Sequence, residues 1–394
     1  LALPGVRAGT RYQYRLDGER YRPDPASRYQ PDGVHGHSVV VDPTEFVWTD
    51  QGFPGHEMTD LVIYELHVGT YTATGTFEAI IQHLSALRDL GVTAIALMPV
   101  AEFPGSRNWG YDGVHLFAPQ STYGGPRGLR RLVDACHARG LSVILDVVYN
   151  HLGPEGNYLA EYGPYFTDRY QTPWGLAVNF DGPESEGVRH FVIENARSWV
   201  REFHLDGLRL DAIHAIWDAS PVHVLAELAD VVRAEAQALG RRAYVIAESH
   251  DNDRRIVLAR AEGGLGLDAV WSDDFWHTLH CRLTGERAGY YVDFGRERQL
   301  QRVLTEGFAY QGEHSEYFGR ERGTPSADLP GDRLVVFLQN HDQVGNRARG
   351  DRLSTLISFE ALKLAAALLF VAPAIPLLFM GEEYGETAPF QFFT

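Results

Sequence analysis

The stretch Asp206–His214, DGLRLDAIH, decides how the rest of the chain is read. Gly207, Leu208 and Leu210 make an apolar run of the kind that packs in a parallel sheet covered on both faces, where a strand has no polar side. Arg209 and Asp211 interrupt it with opposite charges on one face of that strand. Burying both is costly unless they pair with each other or do chemistry. A structural ion pair at a strand end is the plain alternative. What stands at the other strand ends separates the two readings.

Outward from this stretch, apolar β-runs alternate with helical patterns along most of the chain. The β-runs lie at 61–66, 93–98, 141–148, 207–211, 243–247, 267–271, 334–338 and 374–380. Helical patterns lie at 77–90 behind Thr76, 129–139 before Gly140, 188–203, 223–239 before Gly240, 253–260, 299–308 and 359–370. Eight such repeats predict an α/β fold, a (β/α)8 TIM barrel over 56–394. The Gly-, Pro-, Tyr- and Trp-rich stretch 151–185 reads as a loop subdomain inserted after the third strand; loops of that length in a barrel are usually functional. Residues 1–55 read as a partial N-terminal β-sandwich, with alternation at Tyr12, Tyr14 and Leu16, an Asp17-Gly18 turn and a further strand at 38–41. The chain starts without Met and shows no helix after the eighth β-run. The natural chain is therefore expected to extend beyond both ends.

Composition narrows the class. The 394 residues are 44% hydrophobic and 22% charged, as in soluble globular proteins, and the net charge is -17. An acidic chain with pI near 5.4 argues against a phosphate-backbone partner, so no nucleic acid is expected. Cys136 and Cys281 lie far apart in sequence and imply no disulfide framework, which fits a reducing, cytoplasmic setting. The apolar run Leu364–Met380 contains Pro373 and Pro376 and is short for a membrane span. It reads as a buried helix followed by a buried strand, with no membrane partner. Oligomeric state has no signature here.

In TIM barrels chemistry gathers at the C-terminal ends of the strands. Those ends carry Asp146 and His151 after the third run, Arg209, Asp211 and His214 after the fourth, Glu248 after the fifth, and His341 and Asp342 after the seventh. So many ionisable groups at independent strand ends are hard to explain as caps and isolated pairs. Metal binding is one use of such carboxylates, but no HxxxH or CxxC spacing is present. Asp251-Asn252-Asp253 followed by Glu262 imitates a calcium loop, yet Arg255 and Ile256 occupy positions that need a ligand and a Gly. No metal and no cofactor are expected. Glycoside hydrolysis is the other use, with one carboxylate attacking and another protonating the leaving oxygen. Trp109, Tyr111, Tyr158, Tyr165, Phe166, Trp174 and Trp217 fall in the top loops, where aromatic faces can stack on sugar rings. Gly264–Ala269 matches a dinucleotide fingerprint but precedes a strand instead of following one, so it carries nothing.

Four runs carry a family resemblance: DVVYNH at Asp146–His151, GLRLDAIH at Gly207–His214, the strand ending in Glu248, and FLQNHD at Phe337–Asp342. Together, and in this order, they resemble the α-amylase superfamily of retaining glycoside hydrolases over about 61–385. The runs YELHVGTYT, LMPVAEFPGSRNWGYDGV, YNHLGPEGNY and YGPYFTDRYQTPWG look like its trehalose-releasing branch. The resemblance implies hydrolysis of the α-1,4 bond next to the trehalose end of maltooligosyltrehalose, with related α-glucans as partners. It implies Asp211 as nucleophile, Glu248 as general acid/base and Asp342 as transition-state stabiliser. Tyr111, His151, Arg209, His214 and His341 would line the subsite of the attacked sugar. Glu248 is expected to have a raised pKa, through burial and nearby negative charge. Trp217, Asp218, Asp251 and Asn252, after the fourth and fifth strands, are candidates for the trehalose side. A glycogen branching or debranching enzyme, or a non-catalytic glucan-binding scaffold, are the alternatives.

Overall fold

The computed structural model describes residues 4–394. Eight parallel strands close into a barrel in chain order: β1 (Ile63–Leu66), β2 (Ala94–Leu97), β3 (Ser142–Val147), β4 (Gly207–Leu210), β5 (Tyr244–Glu248), β6 (Ala269–Trp271), β7 (Leu334–Phe337) and β8 (Ile375–Phe379), which returns to β1. Their residues are almost all buried, because helices cover the outside and side chains fill the inside. The (β/α)8 expectation holds.

Register decides which side chains meet. In a parallel pair, residues directly opposite point to the same side of the sheet. Arg209 on β4 lies opposite Asp146 on β3 and Ile246 on β5, and Glu248 on β5 lies opposite Trp271 on β6. Arg209 and Asp146 are thus committed to one space by the register of the β3–β4 pairing.

The helices depart from expectation in three places. The stretch 253–260 holds only two 3-10 turns, Arg254–Ile256 and Arg260–Glu262. Asp253 caps the first turn, and the chain then folds back so tightly that a Cβ on Gly264 would sit 2.0 Å from the Leu258 carbonyl oxygen. The pattern at 77–90 is two helical pieces separated by a 3-10 turn at Ile81–His83. Conversely, Asp273–Thr284 is an unforeseen helix after β6. Its residues from Asp274 to Cys281 are all buried, polar ones included, so it has no apolar stripe to read.

Phe359–Val371 is a helix and Ile375–Phe379 a buried strand, but the helix is not buried as expected: only Ala365 and Leu369 turn to the core, while Phe359, Leu364, Phe370 and Val371 are exposed. Among the described residues no helix is long and apolar enough to cross a membrane. After β8 there is a 3-10 turn, Glu382–Tyr384. The stretch after β3 carries an antiparallel hairpin, Phe166–Thr172 with Gly175–Val178. Near the N-terminus, Arg11–Tyr12 pairs with Ser38–Val39, and Tyr14–Leu16 pairs with Arg20–Arg22 around Asp17-Gly18. Asp17 and Gly18 have positive φ, and the Glu19 N–H donates to the Leu16 carbonyl at 3.0 Å, so a tight turn sits inside a three-residue loop. Arg20 and Arg22 each reach Glu161 at 2.9 Å, tying this segment to the loop after β3.

A buried charge network closes the opposite end of the barrel. His137 lies between Asp50, at 2.8 Å, and Asp206, at 2.9 Å. Asp50 also holds His204 at 2.8 Å and Arg241 at 2.6 Å, and Asp206 accepts from the Val143 backbone N–H. Burial disfavours an ionised Asp50, but hydrogen bonds from His137, His204 and Arg241 hold its carboxyl well below the usual range. A depressed carboxyl stabilises the fold above its unfolded value and loses that contribution as pH falls toward its folded value. Removing one partner of such a buried pair costs about 3–5 kcal/mol. Asp50→Asn is therefore expected to lower Tm at pH 6, with the gap to the parent narrowing below about pH 4. A gap of constant size across a pH series of thermal melts would contradict this.

Candidate active site

One buried guanidinium gathers the carboxylates at the mouth. Arg209 Nη1 lies 2.7 Å from Asp146 and 2.9 Å from Asp211, and Nη2 lies 3.1 Å from Glu248. Its plane sits over the Trp271 ring, 4.4 Å from the centroid, so the ring's negative face adds a cation–π contact. Asp211 also accepts from Asn150 Nδ2 at 2.7 Å, and that amide bonds the Asp211 carbonyl as well. Glu248 Oε2 accepts from the Ala212 backbone N–H at 2.6 Å. Ala212 has φ +40°, a left-handed conformation that costs a residue with a Cβ about 1–3 kcal/mol. The strain turns the β4 end so that the Asp211 side chain and the Ala212 N–H face the same pocket.

A second chain of contacts runs from β1. His341 opens the short helix His341–Gly345 after β7, next to Asp342. Its Nδ1 lies 2.7 Å from Glu65 Oε1 and its backbone N–H donates to Glu65 Oε2 at 3.0 Å. Its Nε2 lies 2.6 Å from the Tyr111 hydroxyl, which lies 2.7 Å from Asp146 Oδ2, and 3.6 Å from Asp342 Oδ2. Tyr111 reaches this position because Gly110, at φ +107°, brings its loop against Pro99, where a Cβ would fall 2.0 Å from the carbonyl oxygen.

The remaining predicted residues divide. His151 faces the Tyr111 carbonyl at 3.0 Å, and Trp174 stacks flat on its ring at 4.5 Å. His214 packs against His250, ring centroids 4.0 Å apart. Trp217 is 46% exposed and stacks on Tyr170. Asp251 is half-buried and paired with Arg320 at 2.8 Å. Asp218 and Asn252 do not fit a sugar-contacting role. The Asp218 side chain is 0% exposed and is consumed by Arg189 and the backbone N–H groups of Ser220 and Val224. Asn252 is buried, with φ +56°, and its amide donates to Asp274 Oδ2 at 2.7 Å. Both are struts that shape their loops. Asp253, the last acid of the apparent calcium loop, is likewise engaged, bonding the Arg255 backbone and guanidinium.

Electrostatics corrects one expectation outright. Burial works against ionised Glu248, but Arg209 and the Ala212 N–H outweigh it and hold its pKa below the ordinary value. Asp211 goes the other way, raised by burial despite Arg209, with the charge of Glu248 adding to the rise. Burial also pushes Asp146 up to about 7. The two carboxyls are therefore pushed in opposite directions, Glu248 down and Asp211 up.

Glu248 and Asp342 line a cleft of 310 Å³ that continues past Asp273 to Tyr290, Tyr317 and Phe318. Asp273, Tyr290, Tyr317 and Phe318 escaped sequence reasoning, as did the buried Glu65, which does not line the cleft. Asp273 stands two residues beyond the β6 end and is pushed up to about 7 by burial and by Glu248. The strand-end rule applied to the sixth run would have found it. Glu65 stands inside the β1 run and could have been found the same way. Tyr317 and Phe318 lie near a short hairpin, His314–Ser315 with Arg320–Glu321, that no local pattern announces.

The family profile described as alpha amylase, catalytic domain, matches residues 47–172. The malto-oligosyltrehalose trehalohydrolase of Saccharolobus solfataricus is 52% identical over 394 residues, covering all of this chain and 69% of that protein. A 1,4-alpha-glucan branching enzyme of Pseudoalteromonas atlantica is 27% identical over 431 residues, covering 98% of this chain and 56% of that protein. The crystal structure of a provisional alpha amylase from Salmonella typhimurium superposes with a TM-score of 0.94 at 47% identity, over 100% of this chain and 67% of that one. The chain thus spans about two thirds of the length of its nearer relatives, and at this identity and coverage it belongs to the malto-oligosyltrehalose trehalohydrolase family.

Proposed function

We propose that this chain is a retaining glycoside hydrolase that cleaves the α-1,4-glucosidic bond next to the trehalose end of maltooligosyltrehalose, releasing trehalose and a maltooligosaccharide. The observation that carries the reading is the convergence of Asp211 and Glu248 on one guanidinium beside Asp342, in a chain 52% identical to an enzyme of that name. A branching enzyme shares only 27% of the aligned residues. The two free, buried cysteines suit a reducing, cytoplasmic setting.

The mechanism is double displacement. Glu248 gives its proton to the bridging oxygen as the bond from the glucan's anomeric carbon to that oxygen breaks. Asp211 forms an ester with the anomeric carbon, and trehalose leaves carrying the proton. Glu248 then takes a proton from water, whose oxygen displaces Asp211 with overall retention. Asp342 and His341 hold the sugar through the oxocarbenium-like transition state.

This scheme needs the proton on Glu248 and the charge on Asp211, the reverse of their resting bias. Substrate reverses it in two ways. The Glu248 side chain is 19% exposed and that of Asp211 10%, so a covering sugar strips more water from Glu248 and raises it more. Positive charge growing on the anomeric carbon favours an ionised Asp211. The proton moves as the site fills.

Asp211→Asn and Glu248→Gln should each lower kcat on maltooligosyltrehalose by roughly 10³-fold or more; near-parental turnover in either would end this assignment. With the parent protein, chromatography should detect free trehalose, and proton NMR should show the new reducing end first as the α-anomer. An initial β-anomer would contradict retention, and a product pool of α-1,6 branches without trehalose would favour branching. Trp217→Ala should narrow the preference for trehalose-capped over plain maltooligosaccharide about fivefold, since stacking contributes about 1 kcal/mol. Unchanged kcat/KM ratios would remove that residue from the leaving-group side.

A further inference from the structure

The run YELHV at Tyr64–Val68 has no part in the mechanism above, yet its carboxylate is buried under the site. We infer that Glu65 is a positioning residue that fixes His341 as a doubly protonated ring, so that a second buried cation besides Arg209 stands beside the catalytic carboxylates. The catalytic consequence rests on the glycosidase reading. The ring's charge does not.

The Tyr111 hydroxyl has one proton and two close partners, Asp146 Oδ2 and His341 Nε2. Asp146 Oδ2 already accepts from Arg209 Nη1 at 2.7 Å, so it is not a donor toward Tyr111. If Asp146 carries a proton, the free place for it is Oδ1, a buried atom with no hydrogen-bond partner. Tyr111 therefore donates to Asp146 and accepts from a protonated His341 Nε2. On the other side of the ring, Glu65 Oε2 accepts the backbone N–H of His341 and Oε1 meets Nδ1. A carboxylate bonded in this way takes a hydrogen from Nδ1 as well. Both ring nitrogens are then donors, and the ring is a cation.

The groups facing His341 agree with that charge. Glu65 comes from β1, Asp342 from the same helix, Asp146 and Arg209 through Tyr111 from β3 and β4, and Glu248 from β5. His67 on the loop after β1 lies near enough to repel it, and Trp109 meets it edge-on at 5.4 Å. Burial alone would lower the imidazole, but the charges of Glu65 and Asp342 push it up to about 9. Glu65 also holds the backbone that leads into Asp342, so one carboxylate sets both the charge of His341 and the entry to the next acid. The imidazolium lies 3.6 Å from Asp342 and favours that carboxyl as the anion that meets the positive charge growing on the anomeric carbon.

The test is Glu65→Gln. Histidine ring nitrogens are followed by 15N NMR at pH 8, with the His341 signal assigned by its loss in His341→Asn. The parent should show two protonated nitrogens and Glu65→Gln one protonated and one bare. On maltooligosyltrehalose, kcat should fall on the order of 10- to 100-fold, as for lost outer partners of other site histidines, with little change in KM. The variant's activity should fall as pH rises through about 6.5, the ordinary imidazole value. Glu65→Asp keeps the charge and should retain the doubly protonated ring, which decides the matter if Glu65→Gln does not fold. A bare nitrogen in the parent, or an unchanged imidazolium in Glu65→Gln, would overturn the inference while leaving hydrolysis by Asp211 and Glu248 standing. Inactivity of the parent on maltooligosyltrehalose would instead remove the function and leave the ring's charge intact.

Discussion

Arg209 is the interaction on which the site depends. Carboxylates from β3, β4 and β5 cannot crowd one buried space as anions unless a cation shares it. A guanidinium does this better than an ammonium, because its planar fork meets several acceptors at once while its face rests on an aromatic ring. Here the fork meets Asp146, Asp211 and Glu248, and the face meets Trp271. The barrel supplies the register, since Arg209 lies opposite Asp146 in the β3–β4 pairing. Asp146 is then not a spare acid. It orients Arg209 and takes the Tyr111 proton, and through Tyr111 it joins the Arg209 cluster to His341 and Glu65.

The arrangement biases the two carboxyls in opposite directions. Arg209 and a backbone N–H lower Glu248, while burial raises Asp211. Coupled groups of this kind titrate as a set, so the useful quantity is the number of protons in the cluster and where substrate moves them. An acid that becomes an acid only when its sugar arrives discriminates against water in an unfilled pocket. Two positive charges, from Arg209 and His341, keep the set from becoming more basic than the reaction can use.

Most of the fold was legible because the barrel repeats one physical unit. Apolar runs of strand length, spaced by helices, gave eight strands within a few residues of those observed. The helix Asp273–Thr284 was not legible, because it is buried on all sides and carries Asp274, His277 and His280 where a stripe would be apolar. The carboxylates Asp211, Glu248 and Asp342 were legible as strand-end anomalies, and they do meet at one mouth. Asp218 and Asn252 were misjudged because proximity in sequence to a strand end does not say whether a side chain points to the cleft or into its own loop. Asp218 caps the helix Val224–Ala238, and Asn252 adopts a left-handed turn against Asp274. The direction of the Glu248 shift was beyond sequence as well. It depends on Arg209, 3.1 Å away, and then on a 2.6 Å contact with the Ala212 N–H, made possible by one strained residue.

If the reading is right, Asp211, held by Arg209, becomes covalently joined to the sugar. Peptide mass spectrometry of the protein after reaction with a 5-fluoro-α-maltosyl fluoride detects that ester. The fluorine slows both steps, and fluoride leaves readily, so the ester accumulates. One added glycosyl group is expected, located on Asp211 and absent from Asp211→Asn. A label on another residue, or a protein that turns over maltooligosyltrehalose yet never acquires one, would contradict it.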